Sequence, residues 1–148
     1  MFYILSEVEV ALNELLATFR KSIDHYEDAI KSIQDNDKKI LFRGIVTPRK
    51  SLIAALTTTI RALEDLPSEP NPDQEAAEMI IERVGASLSE DDDKYIISIR
   101  INAEQQLQLL VDQAKELEIS ESVRALLSDV STHISETIKA LKIQGGFQ

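Results

Sequence analysis

S-E-V-E-V-A-L-N-E-L-L-A-T-F-R-K-S-I-D-H-Y-E-D-A-I-K-S-I, Ser6 to Ile33, places an apolar residue at every third or fourth position. Starting one residue earlier, the series is Leu5, Val8, Leu12, Leu15, Phe19, Ile23, Tyr26, Ile30 and Ile33. That spacing lays one apolar stripe along a helix about eight turns long. The stripe drifts little around the axis, so its partners are expected to lie nearly parallel to it. Ser6 is placed to cap the first turn, with Glu7 and Glu9 at the positive end of the helix dipole. Asp35-Asn36-Asp37 then supplies a polar turn.

The same period returns three more times. Leu41, Ile45, Leu52, Leu56, Ile60 and Leu63 form a second stripe running to about Leu66. Pro48 sits inside it, where it removes one backbone hydrogen bond and crowds the Gly44 carbonyl. Thr47-Pro48 also has the form of an N-cap followed by a first-turn proline, so a kink or short break is expected between Gly44 and Pro48. P-S-E-P-N-P-D, Pro67 to Asp73, is an extended linker in this reading. A short amphipathic helix is expected from Gln74 to Ala86, followed by Ser89 and Asp92 in the spacing of a capping box. The third long helix reads from about Glu90 to Glu116, with Ile96, Ile99, Ala103, Leu107, Leu110 and Ala114 facing inward. The fourth, Glu121 to about Gln144, turns Val123, Leu127, Val130, Ile134, Ile138 and Leu141 inward and stops at Gly145-Gly146.

Connections that run short, long, short fit four helices with one crossover between the second and third. The expected architecture is therefore an all-α, ferritin-like four-helix bundle, one domain over residues 1–148, with the short extra helix in the crossover. No β pattern competes with it, and 4 Gly and 4 Pro leave little material for the turns of an all-β fold.

Composition removes several classes of function. There is no Cys, hence no disulfide, thiolate metal site or thiol nucleophile. A net charge of −10 argues against a nucleic-acid surface. The N-terminal segment has no basic region and Glu7 interrupts its apolar run, so it does not read as a signal peptide. No stretch reaches the roughly 20 apolar residues that span a bilayer, so no membrane association is expected. The cytoplasm is the expected location. No G-x-S-x-G elbow, P-loop or G-x-G-x-x-G occurs. Asp91-Asp92-Asp93 lacks the glycine and final glutamate of an EF-hand loop and fits a helix start better.

The two histidines frame the metal question. H-Y-E-D, His25 to Asp28, and H-I-S-E, His133 to Glu136, each place a carboxylate one helical turn after an imidazole. Di-iron bundles need Glu-x-x-His on two helices and a Glu from each of the other two. Here the order is reversed, with Ser22 and Val130 three residues before the histidines. The second helix also carries no acidic residue between Asp37 and Glu64, only Lys38, Lys39, Arg43, Arg49, Lys50 and Arg61. A di-iron centre is not expected, and no cofactor is implied. A looser site remains open: one ion on His25 and His133, with Asp28, Glu136 or Glu104 nearby. The plainer reading makes each histidine half of a helix-surface pair beside the apolar stripe.

Glu104 lies at helical spacing from Ile97, Ile101 and Val111, which makes it half-buried, and Arg49 is its natural partner from the second helix. An interior ion pair is the structural reading; a ligand or base is the functional one. Arg43, Arg49 and Lys50 read as neutralising neighbouring helices, and Gln105, Gln106, Gln108 and Gln113 as a solvated face.

Leu12 to Leu16 (L-N-E-L-L), Tyr26 with Ala29, Leu41 to Arg43 (L-F-R) with Arg49, Ala103-Glu104 and His133 together resemble a bacterial family of ferritin-like four-helix-bundle domains without an assigned function. The resemblance spans about Leu5 to Leu141. It departs from the family at Ser22 to His25, where an acidic, glycine-containing motif would stand, and at Pro48. It implies the fold and the crossover helix and carries no activity. The functional expectation is a non-enzymatic binding or scaffold protein that self-associates, as a dimer, through a helix face and has a possible protein partner. The alternative is a metal-binding bundle using His25 and His133. A third option is a small-molecule pocket between the kinked second helix and the crossover.

Overall fold

The computed structural model describes residues 6–63 and 92–147, and these form four long helices with no strand among them. They are α1 (Glu7–Ser32), α2 (Asn36–Ala62), α3 (Asp92–Lys115) and α4 (Glu121–Gly145). The linker at Pro67–Asp73, the helix expected over Gln74–Ala86 and the Ser89 cap lie outside the described residues.

Local chemistry fixes the ends. Ser6 caps α1, accepting from the Glu9 amide at 3.1 Å, and Ser120 does the same for α4 from Val123 at 3.3 Å. Asp35 caps α2 through the Asp37 amide at 2.8 Å, so the polar turn is shorter than expected and Asn36 and Asp37 already belong to the helix. At the far end of α4, Gly146 adopts the left-handed conformation at φ 73°, which costs glycine nothing. The amides of Gly146 and Phe147 then reach back to the carbonyls of Ile143 and Lys142, closing the helix.

α1 packs beside α2 and α3, and α4 beside α3 and α2, which leaves α1 diagonal to α4 and α2 diagonal to α3. The Asp93 carboxylate at the start of α3 accepts from the amides of Gln34 and Asp35 in the α1–α2 turn, at 3.2 and 3.1 Å. α3 therefore begins at the end of the bundle where α2 begins, and the two run parallel. At the opposite end Leu63 packs with the cluster that contains Ala114 and Val123.

The core falls into two apolar blocks. One holds Leu12 to Phe19 of α1, Leu56 and Ile60 of α2, Leu107 to Ala114 of α3 and Val123 to Ile134 of α4. The other, nearer the α1–α2 turn, holds Ile23, Tyr26, Phe42, Ile45, Ile97, Ile101 and Leu141 among others. Burial at roughly 25 cal/mol per Å² makes these blocks the main stabilising term.

Two expectations about the helices are corrected. α2 is one continuous α-helix through Pro48, without a break, and ends at Ala62 rather than Leu66. Gly44 and Pro48 both lie on its exposed face, so the carbonyl deprived of its partner is open to water, and the neighbouring Arg43 carbonyl also accepts from the Thr47 hydroxyl. On α3 the innermost row is Ile97, Ile101, Glu104, Leu107 and Val111, while Ile99, Ala103 and Leu110 are only half-buried. The inward face is turned by part of a helical step because it must point at the diagonal helix.

A methyl group at Gly44 would meet no atom within 4 Å, and the residue is exposed in mid-helix. Gly44→Ala is expected to stabilise the protein by about 0.5–1 kcal/mol through reduced freedom of the unfolded chain, measurable as a higher urea midpoint at unchanged slope.

Candidate functional site

Between the two apolar blocks lies a polar waist. On α1 the interruption falls at Ser22, on α2 at Arg49, on α3 at Glu104 and on α4 at His133 and Thr137, on either side of Ile134 in the chain. Ser22, Arg49, Glu104 and His133 each lie within one turn of the middle of their helices, so the four positions meet at one level.

Arg49 and Glu104 are both fully buried. The guanidinium grips the carboxylate through both terminal nitrogens, Nη1 to Oε2 at 2.7 Å and Nη2 to Oε1 at 2.5 Å. Nη1 also donates to Ser22 Oγ at 3.0 Å, and Nε donates to His133 Nε2 at 3.0 Å. Four of the five guanidinium N–H bonds are thereby used. Glu104 Oε2 accepts a further bond from the Tyr26 hydroxyl at 3.0 Å. The Ser22 hydroxyl in turn donates a hydrogen bond to the Phe19 carbonyl at 2.6 Å.

Aromatic faces enclose the charge. The Arg49 guanidinium carbon lies 4.8 Å from the Phe19 ring centre and 5.5 Å from that of Tyr26. Phe42 stands edge-on to Tyr26 at 5.0 Å, and His133 edge-on to Phe19 at 6.3 Å.

This geometry sets protonation. Burial, and then the charge of Glu104, hold the Tyr26 phenol well above its ordinary value, so it stays a donor. Burial alone would disfavour the Arg49 cation, but the hydrogen bond and charge of Glu104 outweigh it and strengthen its hold on the proton. His133 is pushed down to about 4, first by burial and then by the Arg49 charge. It is therefore a neutral imidazole whose Nε2 lone pair is committed to Arg49 and whose proton sits on Nδ1.

The expected Arg49–Glu104 pair is thus present, and Glu104 is deeper than half-buried. The remaining candidates do not assemble around it. His25 and Asp28 lie on α1, His133 and Glu136 on the diagonal helix α4. Among the described residues no group of three His, Asp or Glu side chains could hold one metal ion. The helix-surface reading of H-Y-E-D is corrected: His25 and Asp28 are both buried. His25 Nδ1 lies 3.2 Å from Nη2 of Arg100, itself buried under α1 with its guanidinium carbon 5.5 Å from the Tyr26 ring centre. His133 is half-buried and Glu136 exposed.

Arg100, Tyr26 and Ser22 escaped the sequence reading as polar participants. Tyr26 was legible only as one more apolar position, while Ser22 stood one residue from the stripe. The solvated-glutamine reading holds for Gln105, Gln106 and Gln113, which are exposed, but not for Gln108. That side chain is half-buried and bonds Ser131 of α4 at 3.1 Å. Lys50 pairs loosely with Glu27 of α1 at 3.9 Å, as the neutralising role implies.

No protein-family model, no curated protein and no solved structure matches this chain. The reading of the site rests on its own geometry.

Removing one member of a buried pair leaves the other charge unpartnered, whereas removing both does not. Arg49→Met and Glu104→Leu are each expected to cost about 3–5 kcal/mol, and the double variant to recover most of that loss. A urea double-mutant cycle measures both. The unfolded His133 titrates near 6.5 and the folded one at about 4, so between those values the unfolded chain binds more protons. Stability is expected to fall as pH drops below 6.5. His133→Gln keeps an acceptor for Arg49 Nε, and thermal melts at pH 7 and pH 5 should differ less for it than for the parent.

Proposed function

We propose that the protein is a non-enzymatic cytoplasmic binding or scaffold bundle of ferritin-like topology, self-associating through a helix face and without a metal centre in its interior. The parallel course of α2 and α3, with α2 ending and α3 beginning at opposite ends of the bundle, supports the ferritin-like topology. Among the described residues no helix is long and apolar enough to cross a membrane.

The fully buried Arg49–Glu104 pair carries this reading. A metal in the middle of such a bundle needs inward carboxylates and imidazoles with free lone pairs. At the waist, Glu104 is engaged on both oxygens and His133 Nε2 accepts from a guanidinium. A resident positive charge also repels a cation. General acid–base work is equally disfavoured: the phenol and guanidinium both hold their protons tightly, and the waist is packed with side chains.

Elemental analysis across size-exclusion fractions of natively purified protein tests the proposal. The expected result is no stoichiometric metal and a mass near twice the 16.6 kDa chain. About one zinc or iron per chain, lost on His133→Ala, would overturn it in favour of a metal-binding bundle built on His25 and His133. A metal-free peak at the mass of one chain would remove the self-association.

A further inference from the structure

The stretch of α3 from Tyr95 to Val111 holds two charged residues, Arg100 and Glu104, and both are buried, at 3% and 0% exposed. Its outward face is therefore free of charge for more than four turns, on a chain in which 28% of residues are charged. Tyr95, Asn102 and Leu109 stand on that face at intervals of seven residues, close to two turns each, and all three are exposed. Among the described residues Val10, Ile40 and Ile143 are single exposed large apolar side chains on their helices, whereas α3 exposes two, Tyr95 at 44% and Leu109 at 51%. The first exposed charges beyond the stretch are Lys94 at one end and Asp112 at the other. They are eighteen residues apart, five whole turns, so they lie on one flank of the row. Among the described residues neither makes an ion pair: Lys94 lies over the Phe147 ring at 5.2 Å, and Asp112 accepts from the neutral Gln108 amide at 2.9 Å.

This pattern is complementary to itself when reversed. An antiparallel copy of α3, related by a twofold axis at Asn102, sets Tyr95 against Leu109 of the second copy and Leu109 against its Tyr95. Asn102 then meets its own equivalent on the axis, where two side-chain amides can pair, and a single polar residue in such a row fixes the register of paired helices. Positions on the same flank face each other across an antiparallel pair. Each Lys94 therefore lies within reach of the other copy's Asp112, at two symmetric places. A charge-free centre, an aromatic anchor and a polar rim are the composition of a protein–protein interface. The outward row of α2, Ile40, Gly44, Thr47, Ser51 and Ala54, is also uncharged, but it fails the same test. The exposed Arg43, Lys50 and Arg61 share one flank of it, and reversal would set like charges side by side.

We propose that α3 is the self-association face: two copies of the chain pack antiparallel along Lys94 to Asp112, with Asn102 on the twofold axis and Lys94–Asp112 ion pairs closing both ends. This rests on the self-association reading and deepens it by naming the surface. The mass of the unsubstituted chain decides that reading; the variants below decide only the face.

The dimerisation constant is measured by sedimentation equilibrium for the full-length chain and for variants at exposed positions, with helical circular dichroism to check that each folds. Leu109→Glu acts at both ends of the contact and is expected to weaken dimerisation about a hundredfold. Lys94→Glu and Asp112→Lys are each expected to weaken it about tenfold, because each sets like charges together twice. The two combined in one chain restore opposite charges and are expected to return the constant to within about threefold of the unsubstituted value. The chain has no cysteine, so Asn102→Cys is expected to give a disulfide-linked dimer under mild oxidation far faster than Ser51→Cys on α2. A dimer that persists in Leu109→Glu, a charge swap without recovery, or equal cross-linking at positions 102 and 51 overturns the α3 face and leaves self-association standing. An unsubstituted chain that stays monomeric overturns both.

Discussion

Two opposite charges withdrawn completely from water cost several kcal/mol each before any contact is made. At the centre of this bundle, Arg49 and Glu104 meet that cost only because every helix contributes to offsetting it. α2 and α3 supply the pair and bridge the diagonal. α1 supplies the Ser22 acceptor, the Tyr26 donor and the Phe19 face, and α4 supplies the His133 acceptor. Sliding any one helix by a turn would strand a charge or a donor in an apolar block. The apolar blocks on either side provide the bulk of the stability, since Leu, Ile and Val tolerate several registers. The pair discriminates among those registers.

The same arrangement decides what the interior can do chemically. A carboxylate in the middle of a helical bundle is the usual raw material for a metal site or a base. Here its oxygens are taken by a guanidinium that cannot give up its proton and a phenol held above its ordinary range. His133, the imidazole at that level, is kept neutral by burial and then by the charge of the same guanidinium that uses its lone pair. Reactivity is absorbed into structure, which moves the search for function to the outer faces of the helices.

The sequence made the helices legible because each long stripe keeps one period for six turns or more. Leu12, Leu15, Phe19, Ile23 and Tyr26 are all buried as that period requires. The Arg49–Glu104 pair was legible for a related reason: a carboxylate on the apolar row of one helix demands a cation, and α2 offers few others on its inward side. What stayed hidden depends on two helices at once. His25 and Asp28 sit beside the α1 stripe, and only the neighbouring α3, with the long Arg100 side chain, turns that flank into interior. Periodicity gives a direction around one axis, not the width of what covers it. Pro48 misled for the complementary reason. Its cost depends on whether the stranded carbonyl faces water, and the exposed face of α2 supplies that.

The waist is continuous with the outer flank of the bundle between α1 and α3, because the two share side chains. Ser22 lines the cleft between those helices and accepts from Arg49, and the Tyr26 ring has a guanidinium carbon 5.5 Å from its centre in both Arg49 and Arg100. Glu104 balances the first of these cations from inside the bundle. A change at Ser22 or Tyr26 therefore reaches the buried pair and the α1–α3 flank together, and the register that the pair enforces also sets how α3 lies against α1.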